Sequence, residues 1–151
     1  MLDDTDRRLL RHYQTDPAMK PADLAARAGV TSATAWRRLE KMRERGIILG
    51  EEARINWPAL GWAVEVSLRF TLDKTDPRAF DEFIAAARKV PEVIEIQTFL
   101  GRVDVRLNVI ARDMGHYQQI YRDRILPLPH ISDIEALMHV AAIKAEDSLP
   151  L

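Results

Sequence analysis

The chain has 151 residues, 47% hydrophobic and 30% charged, with a formal net charge of -1. Those proportions suit a folded globular protein of one domain or two small ones. No apolar run approaches the roughly 18 residues of a membrane span, and the lack of cysteine excludes disulfides, thiolate metal sites and cysteine nucleophiles.

The near-zero charge hides an uneven split. Residues 1–50 carry ten Lys/Arg against seven Asp/Glu, the remainder twelve against sixteen. Between Lys20 and Leu49 the basic residues are Lys20, Arg27, Arg37, Arg38, Lys41, Arg43 and Arg45, opposed by Asp23, Glu40 and Glu44. Positive charge is therefore local, which suits either a plain solvated helix face or one that meets a polyanion. No basic leader precedes an apolar stretch, so a cytoplasmic location is expected.

In chain order, the first helix is predicted to start after Asp3, its N-cap, with Leu2 before it. Leu9, Leu10 and Tyr13 form its inward stripe, and it stops before Asp16-Pro17. A second helix opens at Pro21, runs through Leu24 and Ala25 to Ala28, and turns at Gly29. Thr31 caps a third helix that Gly46 ends, after which Ile47 and Ile48 return to the core. Residues 51–62 read as a connector, with Arg54 to Trp57 extended before Pro58.

Beyond the connector the period changes to two. Ala63 to Leu72, Glu92 to Leu100 and Val103 to Ala111 alternate as half-buried strands do, with Gly101-Arg102 as the hairpin turn. A helix over Pro77 to Val90 turns Phe80, Phe83, Ile84 and Ala87 inward. Asp113 opens another, containing Tyr117, Ile120, Tyr121 and Ile125 and closed by Pro127; a last strand runs from Ile134 to Ile143. Strand, helix, strand, strand, helix, strand is the ferredoxin-like split βαβ order. Helices on one face leave the other open, and packing two such sheets together buries it.

The third helix carries the most specific signal. Ala35, Leu39 and Met42 share one stripe; Thr34, Arg37 and Lys41 lie opposite, with Ser32 at the exposed start. Two short helices, a Gly-containing turn and a basic outer face make a helix-turn-helix, and so a regulator rather than an enzyme. A major-groove helix needs short polar groups where the backbone comes close and long cations further along. Ser32 and Thr34 meet the first need, Arg37 and Lys41 the second. Arg37 is the candidate for bidentate guanine contact, whereas Lys41 and Arg38 hold phosphates. Arg38 has an alternative partner in Asp6. Trp36 either meets a sugar or thymine methyl or covers the seam between helices.

On these residues the chain resembles the Lrp/AsnC family of feast/famine regulators. LDDTDRRLLRHYQTD is similar to that family's first helix, LAARAGVTSATAWRRLEKMRERGII to its helix-turn-helix, and RINWPALGW to its linking strand and hinge. The later half resembles its βαββαβ domain, including a G-x-x-D turn at Gly101, Arg102, Val103 and Asp104. The resemblance implies an α+β protein with a winged-type helix-turn-helix domain over residues 1–50, a linker over 51–62 and a ferredoxin-like effector and oligomerisation domain over 63–151. It further implies a cytoplasmic, nucleoid-associated homodimer, built into tetramers or octamers, on pseudo-palindromic double-stranded DNA. A small effector, usually an amino acid, would bind between dimers beside the G-x-x-D turn. There the glycine admits the ligand to the backbone, free amides or Arg102 take a carboxylate, and Asp104 takes an ammonium. A plain hairpin with Asp104 satisfying local amides is the alternative. Three features depart from the family pattern. Val105 stands where an aromatic is common, the last strand (IEALMHVAAIK) lacks hydroxyls, and Lys20 replaces a capping hydroxyl.

No catalytic residue, metal ligand or cofactor is assigned. Two other readings compete: an enzyme similar to sirohaem decarboxylases, whose chemistry would fall to His12, His116, His130 and His139, and a ligand-sensing scaffold that does not bind DNA. His139, alternating with apolar neighbours, reads as a core or interface residue.

Overall fold

The computed structural model describes residues 1–151 as two compact units, residues 1–54 with 144–151 and residues 55–143. No helix is long and apolar enough to cross a membrane.

The first unit holds three helices, α1 (Asp4–Tyr13), α2 (Pro21–Ala28) and α3 (Ser32–Glu44). Asp3 caps α1, taking the Asp6 N–H, while the Asp6 carboxylate takes the Asp3 N–H at 3.2 Å; together they close a capping box. Pro21 opens α2, and Lys20 before it supplies no side-chain cap. Gly29 ends α2 with φ 69°, a left-handed geometry that glycine adopts without Cβ strain. Leu9, Tyr13, Leu24, Ala28, Ala35, Leu39, Met42 and Ile48 form one core beneath the three helices. Residues 144–151 join this unit through Gln14. Its amide donates to the Leu149 carbonyl at 2.6 Å and accepts the Leu149 N–H at 2.9 Å.

The second unit is a four-stranded antiparallel sheet in the order β2-β3-β1-β4, the split βαβ topology. Its strands are β1 (Val64–Leu72), β2 (Val93–Thr98), β3 (Val105–Ala111) and β4 (Ile131–Met138). Helices α4 (Ala79–Ala87) and α5 (Met114–Ile120) cover one face, and a wide turn over Tyr121–Ile125 follows α5. Val66, Leu68 and Phe70 of β1 and Val105, Leu107 and Val109 of β3 meet the helices, with the Phe70 and Phe83 rings 4.9 Å apart. Between β2 and β3, chain residues 99–104 make a six-residue connection in which Gly101 and Arg102 are the middle pair.

Several sequence-based expectations shift here. The last strand lies three residues earlier than Ile134. It pairs with β1 over Val66 to Leu72, and after one further bond from the His139 N–H to the Glu65 carbonyl the ladder stops, two residues into β1. Residues 54–57 form no strand; Trp57 instead begins the single turn Pro58–Leu60. In α4 the inward stripe is Ala79, Phe83 and Ala87, leaving Phe80 40% exposed one step round the helix. A register shift between Val93 and Glu95 leaves Ile94 exposed on edge strand β2.

Candidate functional site

Helix α3 owes its placement to its two ends and one stripe. Thr31 caps it, its hydroxyl accepting the Thr34 N–H at 3.2 Å and donating to the Thr34 hydroxyl at 3.0 Å. Ala35, Leu39 and Met42 are buried in the core of the first unit. Because those residues recur every three to four positions, the opposite face must look outward. There Ser32, Arg37 and Lys41 are exposed and Thr34 is half-buried. Neither Arg37 nor Lys41 takes part in any ion pair, so both cations remain free for an anion. Both line a cleft of about 240 Å³ together with Arg45, a cation that the helical pattern alone did not single out.

Trp36 and Arg38 resolve in different directions. Trp36 is 64% exposed and does not cover a helix seam. Arg38 reaches back to α1, bonding Asp3 and, at 3.1 Å, the buried Asp6. Its hydrogen bonds to these carboxylates hold its pKa above the usual guanidinium value, and the same contact lowers that of Asp3. The alternative partner considered for Arg38 is therefore the one it has, and it braces α3 on α1. A second brace went unforeseen: Arg43 donates to the Tyr13 hydroxyl at 3.0 Å, and Tyr13 bonds Glu51. Burial, aided by the Glu51 contact, raises the Tyr13 pKa. The second brace was not visible in the pattern, because it joins residues thirty or more positions apart.

In the second unit the G-x-x-D turn, between β2 and β3, is held against the end of β1. Gly101 has φ 151°, outside the range a side chain prefers. The Arg102 carbonyl accepts the Thr71 hydroxyl at 3.0 Å. Asp104 is buried; one carboxylate oxygen accepts the Leu72 N–H at 2.8 Å and the other pairs with Lys74 Nζ at 3.0 Å. Burial works to raise its pKa, but the Leu72 amide and the Lys74 ammonium outweigh that and hold it below the ordinary carboxylate value. Arg102 is exposed and Val103 half-buried, beside the exposed apolar tip of Phe99 and Leu100.

The three histidines of this unit have separate partners. His116 lies 5.7 Å from the Trp62 ring, and His130, at φ 63°, places Nε2 2.7 Å from Glu82. His139 is exposed rather than in the core, because it follows the end of β4.

Two family profiles together span most of the chain. Residues 2–48 match a winged helix-turn-helix DNA-binding domain, and residues 65–149 match the Lrp/AsnC ligand binding domain. The chain belongs to the Lrp/AsnC family. It is 28% identical over 148 residues to the proline dehydrogenase transcriptional activator of Rhodobacter capsulatus, covering 98% of this chain and 96% of that one. The leucine-responsive regulatory protein of Escherichia coli is 26% identical over 98% of this chain and 90% of its own. Among solved structures, an AsnC family regulator from Agrobacterium tumefaciens superposes with TM-score 0.87 at 29% identity, covering 99% and 97% of the two chains. A Neisseria meningitidis transcriptional regulator solved with L-methionine shares the fold, with TM-score 0.90 at 24% identity over 99% and 97%. These relatives are regulators, and the decarboxylase reading is not favoured. The Lrp/AsnC assignment makes this chain a DNA-binding transcriptional regulator with a ligand-binding domain.

Proposed function

We propose that α3 reads a pseudo-palindromic operator and that an amino acid bound at the 101–104 turn tunes assembly or operator affinity. The observation that carries the first half is the pair of unpartnered cations, Arg37 and Lys41, opposite the buried stripe of α3. Ser32 and Thr34 sit at the helix start, where backbone and bases approach closely. Arg37 pairs bidentately with guanine, Lys41 and Arg45 hold phosphates, and Trp36 meets sugar or a thymine methyl. Arg38 contributes by bracing, its guanidinium being engaged by Asp3 and Asp6.

For the effector, Gly101 admits a ligand to the backbone, Arg102 offers a cation for its carboxylate and Val103 an apolar wall. An effector ammonium would replace Lys74 on the Asp104 carboxylate. The L-methionine complex of the Neisseria regulator supports this ligand class. Self-association follows from the uncovered sheet face, where Ser67 Oγ and Arg106 Nε are buried without partners. Pairing of two sheets gives the dimer, from which tetramers or octamers grow, working on the nucleoid in the cytoplasm. The ligand acts by linkage, favouring the arrangement of copies that spaces the DNA-reading helices correctly.

Salt titration with the chain's own upstream DNA tests the reading. Binding should weaken by orders of magnitude as salt rises. Arg37→Ala is expected to relax preference at one base position per half-site, costing ~1–3 kcal/mol. Lys41→Ala should weaken all sequences alike and lower the salt slope by about one. Equal loss of specific and random binding in both variants contradicts the assignment.

A further inference from the structure

Three side chains that the functions above leave unused converge on one point of the second unit. Asp76 lies in the connection between β1 and α4, Glu82 in the first turn of α4, and His130 one residue before β4. One donor atom from each lies within 4.8 Å of the other two, and His130 Nε2 is 2.7 Å from Glu82 Oε2. Main-chain bonds hold the segments in place. The Asp73 N–H donates to the His130 carbonyl at 2.7 Å, and the Arg78 N–H to Asp76 Oδ1 at 2.9 Å. His130 itself sits at φ 63°, a region that residues with a side chain rarely occupy and that is over-represented at functional sites.

Ordinary pairing accounts for only part of this arrangement. The His130–Glu82 hydrogen bond explains two of the three side chains and leaves the convergence of Asp76 unexplained. Arg78 Nε stands 3.6 Å from both carboxylates, too far for a hydrogen bond, and its side chain is 76% exposed. It balances charge but is free to yield to a stronger cation. Two ligands on opposite sides of a metal ion are about 4.2 Å apart, twice a bond of about 2.1 Å, so movements of roughly half an ångström bring all three donors into range. One imidazole nitrogen and two carboxylate oxygens, with no thiolate, suit a divalent first-row transition ion, and the nitrogen favours zinc over manganese. All three side chains are partly exposed, which leaves the ion a way in and room for water ligands. We propose that Asp76, Glu82 and His130 bind one divalent transition-metal ion, zinc being the favoured one. The ion pins the 73–78 connection and the start of α4 to the entry of β4.

Calorimetric titration of zinc chloride into the untagged, chelator-treated full chain tests this. One ion should bind per chain. Asp76→Asn, Glu82→Gln and His130→Ala should each weaken binding about tenfold or more, the loss seen even for residues that only orient ligands. His116→Ala and His139→Ala, which alter histidines with other surroundings, should bind as wild type does. In thermal unfolding, zinc should raise the wild-type midpoint and leave that of His130→Ala unmoved. Circular dichroism checks that each variant is folded. No saturable zinc binding to the wild type, or undiminished binding in any of the three ligand variants, overturns the site. So does an equal loss in His139→Ala, which would place the zinc on surface histidines.

Discussion

The exposed face of α3 and the 99–104 turn both carry charges singled out from sequence, yet the chain treats them in opposite ways. On α3, Arg37 and Lys41 are left without partners while Arg38 and Arg43 are tied down. In the turn, Asp104 is saturated by Leu72 and Lys74. Free exposed cations lose little by staying solvated and can meet DNA directly. A buried carboxylate must be satisfied within its own chain, and any ligand has to displace a partner it already has. The α3 cations stay free within one chain, whereas the Asp104 carboxylate is already engaged by Lys74.

The sharpest way to break the contrast is to remove what presents α3. Met42→Ala hollows a site that is 1% exposed and should cost ~2–5 kcal/mol in urea unfolding. If operator binding survives at full affinity in that variant under native conditions, the rigid stripe is not what presents Arg37 and Lys41. Next comes Asp104→Ala, which strands the Leu72 N–H and should destabilise by ~1–3 kcal/mol. It should also abolish any amino-acid response measured by calorimetry. Because the folded pKa of Asp104 is depressed, its contribution is present above the ordinary carboxylate value, near about 3.9, and is lost as pH falls through the lower folded value. Acid unfolding of Asp104→Asn should accordingly lack that component, whereas equal acid sensitivity of the variant and the wild type removes Asp104 from the account. The smallest effect is that of Thr31→Ala. Loss of the α3 cap should cost about 1 kcal/mol and leave base preference unchanged.

Most of the fold was legible, because its signals are local. Asp3, Gly29 and Thr31 mark helix ends through their own backbone chemistry, and the alternation in β1 and β3 reports burial directly. What escaped depended on distant neighbours. The extent of β4 is set by its pairing with β1, and the exposure of Ile94 by a slip in the pairing of an edge strand. On α3, periodicity alone placed the free cations outward. The roles of Arg38 and Arg43 followed instead from α1, whose Asp3, Asp6 and Tyr13 are remote in sequence. Arg45 was passed over because it is the C-cap, one step past the end of the helical repeat.

The two-point grip of Gln14 on Leu149 touches main-chain atoms alone. Side-chain identity at position 149 is therefore open to drift, since nearly any amino acid offers the same amide and carbonyl. Position along the tail is restricted on one side. One step further on stands Pro150, whose ring nitrogen has no hydrogen to give. A tail slipped so that Pro150 faced Gln14 would lose half the grip, so the clamp ignores spelling but blocks movement in one direction.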